Sequence, residues 1–240
     1  MHNYAFIPAR SGSKGILNKN LQNIGNLSLI EISVLAAIES GIFAKIFISS
    51  DSEIMIDVAC NIAKKALMPN IVEPHFRPIH LSQDCSTTES AIVDLLDTTL
   101  IPISDEDRIY ILQPTSPFRY ESLICKFNDS LSKSGFKCGF TASKVTPFLW
   151  KNNVAQYDIM NRKMRQDLSD EEFYYHEDGN LFCFECSVFK RTGNRIDNSP
   201  FIYITDSFQS LQIDTPADLS YCVYLNGENK KIESWMSNLI

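Results

Sequence analysis

The sequence predicts an α/β sandwich built on a mostly parallel sheet, and three observations carry that prediction. Short apolar runs, rich in β-branched and aromatic residues, alternate with longer segments of helical spacing, and such alternation implies a parallel sheet with helices packed on it. Polar clusters lie just beyond three predicted strands, at residues 10–20, 49–51 and 113–119. In open α/β sheets the ligand crevice lies outside the carboxyl ends of the strands, so these clusters are expected to converge.

Each element has its own local reason. Residues 4–8 are a short apolar run and read as a buried first strand. In "SLIEISVLAAIES", residues 28–40, Leu29, Ile32 and Ala36 fit helical spacing, with Ser28 as N-cap and Gly41 as the stop. "KIFISS", 45–50, is a strand. Asp51 or Ser52 can cap the helix that follows, whose inner face is expected to hold Ile54, Val58, Ile62 and Ala63. Prolines and an asparagine make 69–78 read as loop and edge structure. Residues 87–100 read as helix, and "RIYILQ", 108–113, as a strand stopped by Pro114 and Pro117. A helix at 121–134 and a strand at 137–145 come next. From 147 to about 177 no βα unit is legible, and the stretch reads as an inserted arm or subdomain. The rhythm returns with strands at 180–186 and 201–205 and a helix at 216–225, with Pro216 in its first turn. The whole reads as one domain over 1–240, a Rossmann-like three-layer sandwich with a small arm.

Composition narrows the function classes. The chain has 240 residues and a formal net charge of -7, which argues against nucleic acid as the main partner. No apolar run reaches the length of a membrane span, and the N-terminus reads as leading into the first strand with no signal peptide, so a cytoplasmic protein is expected. Seven cysteines are scattered and the four histidines lack metal spacing; buried or free cytosolic thiols are expected, not a disulfide framework or a zinc site. An anionic ligand must then be held by a local cluster of cations.

That cluster is "ARSGSKGILNKN". Gly12 and Gly15 allow backbone N–H groups close to an anion, and Arg10, Lys14 and Lys19 supply charge, although the stretch matches neither a P-loop nor GxGxxG. Taken alone it also reads as a solvated turn. In "LQPTSPFR", Gln113 can donate and accept, and Thr115, Ser116 and Arg119 suit hydroxyls or a carboxylate. "FRPIHLSQDCSTTES" sets Arg77 before a run of hydroxyls, some of which suit helix capping. "RKMRQDL" is cationic. In "QIDTPADL", Asp214 is either a helix-start residue or a carboxylate that holds Mg²⁺ against phosphates.

Taken in this order, "IPARSGSKG…KN", "SSDSEI", "FRPIHLSQDCST", "LQPTSPFR", "RQDL", "EDGNLFCF" and "IDTPADL" resemble the acylneuraminate cytidylyltransferase family, the CMP-sialic acid synthetases and their legionaminic and pseudaminic acid relatives. The resemblance covers most of the chain. It implies a CTP-dependent nucleotidyltransferase in which the anomeric hydroxyl of a nonulosonic acid attacks the α-phosphate of CTP and pyrophosphate leaves. It implies nucleotide contacts for Arg10, Gly12, Ser13, Lys14, Lys19 and Asn20, and cytidine contacts for Arg77, Ser86 and Thr88. Gln113, Thr115 and Arg119 are assigned to the sugar acid. Arg10, Lys14, Arg165 and Asp214 are the expected catalytic groups, with Arg165 reaching a neighbouring active site. The 147–177 arm is then a dimerisation element of a homodimer with composite sites, and Mg²⁺ is the expected cofactor.

Two departures qualify the match. Gln212 stands where relatives often carry a second carboxylate, so the metal pair expected is Asp214 with an amide. His176 stands nearest to an arginine of sialic-acid-using relatives, which turns the expected substrate toward legionaminic- or pseudaminic-type acids. The alternatives are a nucleotidyltransferase for another sugar and a non-catalytic nucleotide-binding homologue.

Overall fold

The computed structural model describes residues 1–229. The chain opens with β1 (Asn3–Pro8), a short hairpin of β2 (Asn23–Ile24) and β3 (Leu27–Ser28), and helix α1 (Leu29–Ser40). Then come β4 (Lys45–Ser50), α2 (Glu53–Lys65), β5 (Val72–Phe76), α3 (Thr88–Thr98), β6 (Arg108–Leu112), α4 (Glu121–Ser134) and β7 (Cys138–Val145). An excursion holds β8 (Trp150–Lys151) and β9 (Val154–Ala155). The chain returns as β10 (Tyr174–Glu185), followed by α5 (Cys186–Thr192), β11 (Phe201–Thr205) and α6 (Pro216–Asn229).

Seven strands form one sheet in the order β11-β7-β10-β6-β1-β4-β5. β10 alone among them runs antiparallel to its two neighbours; the other pairings are parallel. A parallel pair needs a crossover, usually a helix. Residues 147–173 supply no α-helix, and the chain comes back beside β7 in the opposite sense.

Alternation along the strands divides the core into two layers. Ala5, Ile7, Tyr110 and Leu112 face a cluster built with α1, α2 and α4. Tyr4, Phe6, Ile109 and Ile111 face a second cluster with α3 and α5. The three-layer sandwich expected from the sequence is therefore present. α1 shows why local signals were sufficient: Ser28 and Glu31 form a reciprocal capping box, and Gly41 closes the helix at φ 65°. The inner face of α2 differs from expectation. Met55, Ile56, Ala59, Ile62 and Ala63 are buried and Ile54 is exposed, because the continuous apolar stripe starts one residue later. β5 forms at the sheet edge, where the missing N–H of Pro74 is tolerated. β10 begins earlier than predicted, with a bulge between Glu177 and Phe182, and α5 was not predicted. The helix expected at 216–225 extends to Asn229.

Candidate active site

β1 sits between β4 and β6, so the chain leaves it toward one side of the sheet and later returns on the other. This switch point opens a crevice at the carboxyl ends of the strands. The crevice is about 410 Å³ in volume, and its walls come from five segments. Arg10, Ser13, Lys14, Gly15, Lys19 and Asn20 come from the loop after β1. Arg77 follows β5, and Asp84, Ser86, Thr87 and Thr88 lead into α3. Gln113 and Thr115 follow β6, and Asp214 precedes α6. Two of the three polar clusters expected to converge, 10–20 and 113–119, line the crevice; the third, 49–51, lies behind it and holds Ser11 and Arg77.

Hydrogen bonds set the shape of the first loop. The backbone N–H and hydroxyl of Ser11 both donate to the Asp51 carboxylate, at 2.8 and 2.6 Å. Asp51 thus anchors the loop instead of capping α2; burial pushes its carboxyl up, but the Ser11 bonds and the charge of Arg77 win and hold it below the usual range. Asn20 donates to the Arg10 carbonyl at 3.0 Å. Lys19 Nζ donates to the Ile213 carbonyl at 3.0 Å and pairs with Asp214 at 3.1 Å. Gly15 lies so close to the Asp214 carbonyl that a Cβ would have no room. The cationic loop and the segment before α6 are therefore one wall.

Four cations line the crevice against two carboxylates, Asp84 and Asp214. A protein of net charge -7 therefore holds a local excess of positive charge. Arg10 and Lys14 both pair with Asp84, at 2.9 and 2.8 Å. The hydrogen bond from Lys14, with Arg10 adding to it, holds Asp84 below the ordinary carboxylate range. Arg77 is buried, and burial lowers its guanidinium to about 10 against the opposing pull of Asp51; it stays cationic at neutral pH. Its Nε and Nη2 donate to the hydroxyl and carbonyl of Ser49. Thr87 caps α3 by accepting from Ser90 N–H.

Several expected site residues lie elsewhere. Arg119 is 1% exposed, so the expected contact with the sugar acid is not available to it. Its guanidinium donates to the carbonyls of Gln113 and Asn180 and to the Ser33 hydroxyl. Burial draws it down to about 9, with Asp178 opposing. The tight turn from Gln113 to Arg119 carries the side chain under the sheet end, where it ties the loop to α1 and β10. Gln212 does not present its amide as a metal ligand. Its Oε1 accepts from Thr115 at 3.0 Å, and its Nε2 donates to Ser116 Oγ and to the Asp178 carbonyl. Asp214 lines the crevice without it. Arg165 lies in a single exposed turn of the excursion, and His176 is exposed on β10 opposite Ser143; neither lines the crevice of its own chain. Gly12 borders the cationic loop with open space around it.

Sequence reasoning missed Asp84 as a partner of the cations, and read Asp51, within the 49–51 cluster, as a helix cap instead of the anchor of the first loop. Both sit in quoted motifs, "LSQDCST" and "SSDSEI", and the signal available was a lone carboxylate inside a hydroxyl-rich stretch. Among the described residues no group of three or more His, Cys, Asp or Glu is arranged to hold a metal, all seven cysteines are free thiols, and no helix is long and apolar enough to cross a membrane.

A family model described as Cytidylyltransferase matches residues 4–191. The chain is 26% identical over 235 residues to the N-acylneuraminate cytidylyltransferase of Escherichia coli O18:K1:H7, covering 95% of this chain and 52% of that one; it spans about half the length of that relative. It is 28% identical to the CMP-N,N'-diacetyllegionaminic acid synthase of Legionella pneumophila, covering 89% of this chain and 91% of the relative. To a pseudaminic acid cytidylyltransferase of Campylobacter jejuni it is 27% identical, covering 94% and 96%. Among solved structures, a CMP:2-keto-3-deoxy-manno-octonic acid synthetase complexed with CTP superposes with a TM-score of 0.64 at 12% identity, covering 95% of this chain and all of that one. That last likeness speaks to the fold.

Proposed function

This chain belongs to the cytidylyltransferase family, and from that membership we propose that it joins CTP to a nonulosonic acid of the sialic, legionaminic or pseudaminic type, giving the CMP-sugar and pyrophosphate. The observation that carries the proposal is the crevice at the switch point. Four cations from two segments of the chain meet there, beside the hydroxyls of Ser86 and Thr88 and the polar groups after β6. The names of the most similar relatives supply the substrate class.

In this reading the anomeric hydroxyl oxygen bonds to the α-phosphorus, the bond from that phosphorus to the bridging oxygen breaks, and pyrophosphate carries away the negative charge. The hydroxyl proton passes to solvent. The protein's work is alignment and charge neutralisation. Arg10 and Lys14 turn from Asp84 to the phosphates. Lys14, the more exposed of the two, meets the charge that grows on the leaving group. Arg77, Ser86 and Thr88 hold the cytidine side, and Gln113 and Thr115 face the sugar acid.

A divalent cation fits at one carboxylate. Mg²⁺ takes one or two protein carboxylates together with phosphate oxygens, and Asp214 offers its exposed carboxylate in the crevice beside Lys19, while Gln212 has its amide committed elsewhere. When bound, Mg²⁺ would offset triphosphate charge. A homodimer is part of the proposal: Trp150, Val154, Ile159, Met160 and Met164 expose apolar surface on the 147–177 arm, and Arg165 and His176 on that arm would serve a second copy's crevice. The seven free cysteines suit a reducing compartment, the cytoplasm. Pyrophosphate release with CTP, Mg²⁺ and a panel of nonulosonic acids tests the reading. Equal rates with ATP, or full activity in excess chelator, would overturn it.

A further inference from the structure

On the side of Arg77 away from the crevice lies a buried chain of hydrogen bonds that the proposed reaction does not use. Ser49 is the last residue but one of β4 and is fully buried; His75 lies in β5 and is 5% exposed. His75 Nδ1 is 2.8 Å from Ser49 Oγ, and His75 Nε2 is 2.9 Å from Asp94 Oδ2, on α3. Arg77 Nε donates to the same Ser49 Oγ at 3.1 Å, and its Nη2 to the Ser49 carbonyl at 3.0 Å. The residue types are those of a hydrolase triad, but Ser49 has no access to a substrate and Arg77 already occupies its oxygen.

Proton accounting fixes the direction of the chain. A carboxylate only accepts, so His75 Nε2 carries a hydrogen toward Asp94. A guanidinium only donates, so Ser49 Oγ accepts from Arg77. The Ser49 hydroxyl hydrogen then needs an acceptor, and His75 Nδ1 stands at hydrogen-bond distance. A neutral imidazole satisfies all three bonds. An imidazolium would aim a second hydrogen at Ser49 and leave the serine's own hydrogen unplaced, beside the charge of Arg77.

We infer that His75 is a positioning residue: neutral and protonated on Nε2, it takes the Ser49 hydrogen and so leaves the Ser49 lone pair aimed at Arg77, which fixes the guanidinium at the crevice wall. This rests on the reading of that crevice as the nucleotide site. The charged groups around the imidazole are Asp94 from α3 and Arg77 beyond β5, with Glu73 on the same strand bordering the same cavity and Asp51 after β4 acting on Arg77. Burial and the charge of Arg77 pull the imidazole below its ordinary range, and Asp94 opposes them without winning. The neutral form therefore holds at physiological pH, and acid breaks the relay.

Two measurements test this on the intact protein. Long-range ¹⁵N–¹H spectra, with His75 assigned by its loss in His75→Gln, should show the Nε2-protonated neutral tautomer at pH 7.5; the Nδ1 tautomer or an imidazolium there would overturn the inference. Calorimetric titration with CTP compares wild type, His75→Asn and His75→Leu. Asn keeps an acceptor at the Nδ1 position and should bind within about twofold of wild type, whereas Leu leaves a buried hydroxyl unpaired and should weaken binding about tenfold. Wild-type affinity should fall on acidification toward pH 5.5 more steeply than that of His75→Asn, a comparison that stands if the Leu variant does not fold. Equal binding by all three proteins, or equal loss in both variants, sinks the relay. Absence of CTP binding by wild type would instead sink the reading of the crevice, and the tautomer spectra keep the two failures apart.

Discussion

Gly15→Ala tests whether the cationic loop and the segment before α6 act as one wall. A Cβ at position 15 would stand about 1 Å closer to the Asp214 carbonyl oxygen than the 3.4 Å at which ordinary contact begins. The obstructing atom is backbone, so no side chain can swing aside. The walls must part by roughly that 1 Å, and the groups on either side are Lys14, beside the glycine, and Asp214, to which Lys19 is bonded. A misplacement of about 1 Å between catalytic groups can cost about 100-fold in rate. Overpacking of this kind costs about 1–3 kcal/mol, which for a chain of this size lowers Tm by several degrees and leaves the fold intact. The assay is kcat/KM for pyrophosphate release from CTP, with thermal unfolding as control. The expected result is a loss on the order of 100-fold with a Tm still well above assay temperature. Gly12→Ala is the companion variant. A Cβ there meets no atom within 4 Å, so any loss would report contact with the nucleotide instead of displaced protein. If Gly15→Ala keeps kcat/KM within about twofold of wild type, the loop is slack and the argument from a shared wall fails.

Lys14→Ala should lower kcat far more than it raises the KM for the sugar, because its contribution is made as pyrophosphate charge develops; an unchanged kcat would return Lys14 to the role of a solvated lysine. Gln212→Asp should cost about 1–3 kcal/mol, since a carboxylate cannot donate to Ser116 or to the Asp178 carbonyl, and should leave the half-saturating Mg²⁺ concentration unchanged. Tighter Mg²⁺ dependence at unaltered Tm would restore Gln212 as a metal ligand. Arg119→Met should lower stability by about 2–4 kcal/mol in a denaturant titration, because it strands the Asn180 and Gln113 carbonyls and the Ser33 hydroxyl. A raised KM for the sugar at wild-type stability would mean that Arg119 reaches the crevice after all. For pH, the folded His75 pKa lies below that of the unfolded chain. Above about pH 6.5 neither state is protonated and its contribution is whole; as pH falls below 6.5 the unfolded chain takes up the proton first and stability drops. The urea midpoint should thus fall between pH 7.5 and 5.5 by more in wild type than in His75→Asn, and equal slopes would contradict the lowered pKa.

The elements with local causes were legible in the sequence. α1 announced itself by Ser28 and Gly41, within one short segment, and the structure uses each as a cap. α4 and β11 have the limits read from their apolar spacing, Glu121–Ser134 and Phe201–Thr205. What failed was set by distant parts of the chain. β10 lengthens to Tyr174 because β7 offers it backbone groups at Ala142, Ser143, Lys144 and Val145; the two tyrosines suit a strand, but the pairing that makes one is set by that neighbour. Ile54 reads as core by helical spacing, but the stripe one residue on is the one that meets the sheet.

The site divides along the same line. Residue types that a phosphate ligand demands, such as Arg10, Lys14 and Arg77, could be read because the chemistry names them before the fold does. Which polar groups spend themselves inside the protein could not, because that depends on partners far away in sequence. Gln212 is separated from Thr115 by 97 positions and Lys19 from Asp214 by 195. Arg119 shows the consequence most clearly. In "LQPTSPFR" its charge is as suitable for a carboxylate as that of Arg77 is for a nucleotide, and both guanidiniums end up buried. Arg77 keeps an edge in the crevice because Ser49 holds it from one side, whereas Arg119 is met by Ser33, Gln113 and Asn180 together. Burial alone therefore does not separate a ligand-facing cation from a structural one. The directions from which its donors are already engaged do, and those are properties of the folded chain.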